Sequence, residues 1–167
     1  MYSILMCVAA GALFIASQAN AQQATTKEQL IGTWKVLSFK STNGNAVSYP
    51  FGEKVTGYLT YTPDRIWVLL VDPTRKAPAS AMLTDAESVE MMKTHAGWTS
   101  TYTLAEQTPD GLKVIAHVDA APNEAINHTD RDYFVRVNGN RLLVKSNVIN
   151  PATGVAIVAE LEYVKVQ

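Results

Sequence analysis

The sequence predicts an all-β protein, an antiparallel meander of about nine strands with one helix inserted. Three observations predict it. Segments of β character recur between turn signals at roughly 8–12-residue spacing, which suits a barrel or a sandwich rather than parallel βαβ units. The turns carry Asn-Gly, Thr-Pro-Asp and Pro-Asp-Gly, residues that tolerate positive φ or preset a bend. Only one stretch beyond the N-terminal segment carries a convincing helix start.

Taken in order, residues 32–41 alternate and end at Thr42-Asn43-Gly44-Asn45, a hairpin signal. Residues 46–51 form a short strand marked as an edge or bend by Pro50 and Gly52. Strands 57–62 and 65–72 flank the turn at Pro63-Asp64, and 73–81 is a Pro/Ala loop. Thr84 and Glu87 have capping-box spacing, Val89, Met92 and Lys93 continue the helix, and Gly97 is the expected stop. Strand 98–106 is followed by the turn Thr108-Pro109-Asp110-Gly111 and by strand 112–119, which alternates strictly. A loop over 120–130 precedes strands 131–137, 141–149 and 155–166, separated by turns at 138–140 and 150–154.

Residues 1–21 read as an export signal. The apolar run 4–16 is short for a membrane span and leads to Ser17-Gln18-Ala19-Asn20-Ala21, a small-x-small cleavage pattern. Cleavage after Ala21 would deliver the chain to the periplasm or the medium; the competing reading is a buried N-terminal helix, since 2–10 contain no Lys or Arg. Residues 22–29 then form a polar leader, and 30–167 one domain long enough to bury a full core. Cys7, the only cysteine, lies inside the signal, so the remaining chain cannot form disulfides or thiolate sites. A net charge of −1 gives no electrostatic case for nucleic acid, and no apolar run after residue 21 would span a bilayer. His95, His117 and His128 have no metal-ligand spacing, and there is no phosphate loop or G-x-S-x-G elbow, so no metal or cofactor is implied.

Gly32-Thr33-Trp34, opening the first strand, resembles the G-x-W signature of lipocalins. The likeness extends through 30–39, Tyr49-Pro50-Phe51-Gly52, 56–64, the helix with Gly97-Trp98-Thr99-Ser100-Thr101-Tyr102, His117-Val118, and Asn138-Gly139-Asn140-Arg141-Leu142. In that order these segments are similar to the bacterial and fungal lipocalin-like domain family. The resemblance implies a closed antiparallel barrel of about eight or nine strands with one inserted helix, holding a small hydrophobic or amphipathic molecule. Some relatives belong to natural-product pathways, where similar barrels bind or cyclise hydrophobic intermediates. The family commonly places an Arg six residues before the Gly of the late turn; here that position is Tyr133, and Arg131 lies two residues earlier on the same strand face. The resemblance also makes Trp34 a structural residue at one barrel end, under a late-strand Arg such as Arg141 or Arg136.

Aromatic residues with a polar handle suit a cavity, which makes Tyr58, Tyr61, Trp67, Trp98, Tyr102 and Tyr133 candidate ligand contacts. Arg131, His117 or Asn123 would meet the ligand's polar end, Asn123 and His128 from a loop at the mouth. Strand 112–119 divides into a face of Leu112, Val114, Ala116, Val118 and a face of Lys113, Ile115, His117, Asp119. If the polar face is inside, His117 oriented by Asp119 is a general acid/base, with Arg131 or a Tyr stabilising negative charge in a cofactor-free isomerase or cyclase. If it is outside, these are solvated residues. Met82, Met91 and Met92 would line an adaptable opening or pack helix on barrel. A filled barrel presenting an outer surface to another protein is the third reading.

Overall fold

Every strand but the second bonds to a neighbour on each side, and the sheet closes on itself. The computed structural model describes residues 24–149 and 154–166; the expected export signal over 1–21 and most of the turn at 150–154 lie outside them. The strands are β1 (Gly32–Asn43), β2 (Ala46–Ser48), β3 (Thr56–Tyr61), β4 (Arg65–Val71), β5 (His95–Thr108), β6 (Gly111–Ala120), β7 (Asp130–Asn138), β8 (Arg141–Ile149) and β9 (Ala156–Lys165). Their order is β2-β1-β3-β4-β5-β6-β7-β8-β9, all antiparallel, and β1 also pairs with β9. Eight strands therefore form a closed barrel, and β2 is a hairpin arm on the far end of β1.

β1 pairs with β3 through Gly32–Lys35 and with β9 from Trp34↔Lys165 to Asn43↔Ile157. A bulge between Val36 and Ser38 bends it so that one strand can serve both neighbours. Alternation fixes the inside: Trp34, Val36, Leu59, Tyr61, Ile66, Leu70, Ser100, Val114, Ala116, Val135, Leu142, Val144 and Tyr163 are all buried. This inner face is apolar because it is turned away from solvent and the strand backbone is already hydrogen-bonded around the ring.

Three local expectations change. The β1–β2 and β7–β8 turns are centred on Gly44-Asn45 and Gly139-Asn140, with Asn43 and Asn138 as last strand residues paired to Ala46 and Arg141. Positive φ falls on the glycine alone, +59° in each, matching a turn that needs it at the first central position. Helix α2 (Asp85–Lys93) starts at the expected capping box but ends before Gly97. Asp72 donates its backbone N–H to Thr94 O, and His95 pairs with Val71, so the sheet claims the chain from residue 95. A further short helix, α1 (Lys27–Leu30), occupies part of the polar leader. Its Thr26–Gln29 capping box is S/T-x-x-E/Q spacing legible in the sequence.

Candidate functional site

One end of the barrel is sealed. Leu30 at the end of α1 and Trp34 on β1 are fully buried, and Trp34 Nε1 donates to Leu30 O at 2.8 Å. Lys165 lies over the indole, 5.0 Å from its centroid, and donates from Nζ to Gln29 O at 3.2 Å. Thr25 reinforces the seal, its Oγ1 accepting from Val137 N at 3.0 Å and its O from Gln107 Nε2 at 2.6 Å. The late-strand cation over Trp34 is thus a lysine. Arg141 is outward, paired with Glu162, and Arg136 Nη2 donates to Pro109 O.

Above this seal lies a cavity of about 240 Å³ within the barrel. Phe39, Leu59, Val68, Leu70, Val144 and Leu161 supply most of its apolar wall, with Tyr61, Trp98, Tyr133 and Tyr163. Trp98 and Tyr133 stack, ring centroids 5.6 Å apart and planes 16° from parallel. Its other polar groups come from Ser146 and Arg131. A second depression, bounded by Met92, His95, Asn123 and Glu124, shares Ala96, Trp98 and Ile126 with the cavity. These three residues stand between the barrel interior and the outside, between the end of α2 and the loop before β7. That loop is pinned to β6 by His128 N to Val118 O at 2.9 Å and Val118 N to Thr129 O at 3.0 Å, with His128 at φ +56°.

Of the nine residues expected at the ligand, the structure gathers Tyr61, Trp98, Arg131 and Tyr133 around the cavity. Tyr102 is inward but lies away from it. Its ring packs edge-on against Tyr61 at 5.5 Å, and its hydroxyl donates to Thr62 O at 2.9 Å. Asn123 borders the outer depression, its Oδ1 accepting from Ala125 N at 3.0 Å to cap a 3-10 turn. Tyr58 and Trp67 are on the outside of β3 and β4, each about half exposed, because their inward neighbours are Leu59 and Ile66.

His117 is also outside, since Ala116 and Val118 take the inner positions of β6. Its carboxylate partner is Asp130 on β7, Nδ1 to Oδ1 2.7 Å, not Asp119. Its Nε2 is 2.9 Å from Thr103 Oγ1, while Asp119 pairs with Arg65 at 2.6 Å. His117 and Asp119 therefore cannot act with Arg131 on one substrate, because the barrel wall separates them. Among the described residues, no group of three or more His, Asp, Glu or Cys is placed to hold a metal.

The matching family model is that of the lipocalin-like domain, over residues 31–159. The chain belongs to the lipocalin-like domain family. No curated protein matches it.

The lipocalin-like barrel keeps its inner tyrosines neutral. Burial, helped by neighbouring phenols, pushes Tyr61 and Tyr163 well above the usual tyrosine range. Burial also raises Tyr133, opposed by the Arg131 guanidinium and its hydrogen bond to that side chain. A wider depression of about 420 Å³ lies on the outer face over β7, β8, β9 and β1. Its charged walls are mutually paired, Lys40 with Glu160 at 2.6 Å and Lys145 with Asp110 at 2.8 Å, as expected of solvated surface. Sequence reasoning missed Phe39, Ser146, Leu161 and Tyr163 in the cavity wall. For the β9 residues the usable signal was alternation through Ala159, Leu161 and Tyr163, once the inner face of one strand was known.

Proposed function

We propose that this barrel binds a small hydrophobic or amphipathic molecule in its interior, and that it does so as an exported protein. The observation that carries the binding reading is the 240 Å³ cavity, walled by apolar and aromatic side chains with its polar groups few and localised. A barrel of this size either fills its interior or holds one small ligand. The space between Trp98, Tyr133 and Leu161 favours a ligand over a filled barrel serving only as an interaction surface. An isomerase or cyclase built on His117 and Asp119 loses its support, since both point away from the cavity. Export rests on the signal pattern of residues 1–21.

The test is native mass spectrometry of the protein purified from its own source, with identification of whatever denaturation releases. The expected result is a stoichiometric lipophilic adduct. Ala159→Phe, which adds a ring to the cavity wall, should abolish it. An adduct retained in folded A159F protein would overturn the assignment to the barrel interior.

A further inference from the structure

We infer that the ligand is a compact monoanion, an apolar body ending in one carboxylate, held with that carboxylate on Arg131. The inference rests on the barrel interior being the binding site. Arg131 shares the inner face of β7 with Tyr133 and Val135 and sits opposite Ala116, so its side chain enters the cavity. Among the described residues, no Asp or Glu lines that cavity, and none forms an ion pair with Arg131. Two outward arginines differ: Arg65 meets Asp119 at 2.6 Å and Arg141 meets Glu162 at 3.3 Å. Tyr61, Tyr133 and Tyr163, which line the same cavity, are phenols, neutral at pH 7, and supply no counter-charge.

A cation set in an otherwise apolar wall without a protein counter-ion is a natural partner for an anion that enters there. A guanidinium matches a carboxylate in shape as well as charge, through two parallel N–H donors. The Tyr133 hydroxyl beside Arg131 and the Ser146 hydroxyl across the cavity can donate to the same oxygens. Size sets the other limit. The 240 Å³ cavity falls below the ~300 Å³ at which drug-sized pockets begin. The stacked Trp98 and Tyr133 rings offer the apolar body a flat wall.

The experiment is titration calorimetry of the chain at pH 7 with 2-naphthoate, 2-naphthamide and 2-naphthylmethylammonium, which share a ring and differ in charge. The acid should bind at least about tenfold more tightly than the amide, the scale of a charge-assisted hydrogen bond, and the ammonium most weakly. Arg131→Gln should bring acid and amide within about twofold, chiefly by weakening the acid. Arg131→Lys, which keeps the charge without the fork, should retain part of the preference and serves if R131Q fails to fold. Equal binding of acid and amide by the unaltered chain, or a full acid preference in folded R131Q, would overturn the anion assignment and leave the cavity reading standing. Binding of none of the three, nor of neutral octanol, would remove the cavity reading as well.

Discussion

His117 and Arg131 lie on adjacent strands, yet the barrel wall separates their side chains. The pattern of 112–119 divides cleanly into two faces, but alternation is symmetric and does not say which face is inside. Ile115 on the polar face blurred it further. The choice is made by neighbours: Val114 packs with Leu104 and Tyr133, and Ala116 with Tyr102 and Arg131, all on one side. Tyr58 and Trp67 were misplaced for the same reason, since an aromatic ring reads as core whichever way its strand turns. The inward tyrosines yield a pH prediction. Tyr61 and Tyr163 ionise above the usual value in the folded barrel and near pH 10 once unfolded, so the folded state holds their protons more tightly. Their stabilising contribution is complete below about pH 10 and is lost as pH rises from there towards the raised folded values. Urea midpoints measured from pH 8 to 11.5 should fall above pH 10, and a Tyr61→Phe/Tyr163→Phe double variant should fall less. An equal fall in both proteins would show that these phenols are not the cause.

Among the elements, strands and turns were the legible part, because β alternation and turn chemistry are local. The capping box of α2 was legible too, with Glu87 accepting from Thr84 N at 2.8 Å and Thr84 from Glu87 N at 3.3 Å. The end of α2 was not, because strand pairing by β4 overrides a glycine stop signal. Gly97 instead sits in β5, where an added Cβ would lie 3.1 Å from Val68 O. Gly57 is the more demanding glycine. It sits inside β3 at φ +146°, and a Cβ there would overlap the carbonyl of Leu69 across the ladder. Gly57→Ala should therefore cost on the order of 2–4 kcal/mol, combining backbone strain with a contact that cannot relax cheaply. Gly44 has φ +59° but open space around it, so Gly44→Ala should cost about 1–2 kcal/mol, from backbone conformation alone. Denaturant midpoints of the two variants rank the effects, and a G57A cost no larger than that of G44A would rule out the overlap as the main cause.

For the whole molecule, closure came from the family likeness rather than from pattern. Turn spacing admits a barrel or a sandwich, and only the β1–β9 pairing separates them. The partners that seal the end beneath Trp34 were out of reach, because they join Gln29 to Lys165 and Thr25 to Val137 across most of the chain. The proposed export is also a whole-molecule property. The intact mass of protein recovered outside the cytoplasm should correspond to a chain beginning at Gln22, and retention of Met1 would overturn cleavage after Ala21. The seam bears on such a journey. Trp34 waits for Lys165, a partner 131 positions later (165 − 34), and Asn43 waits for Ile157, 114 positions later (157 − 43). Loop closure over such distances is slow, and the pairs that shut the ring are the last to be synthesised. A nascent chain can zip β3 to β8 hairpin by hairpin, but it stays an open ribbon until its final strand arrives. Such a chain has no enclosed interior, and the cavity between Trp98, Tyr133 and Leu161 comes into being only when β9 shuts the ring.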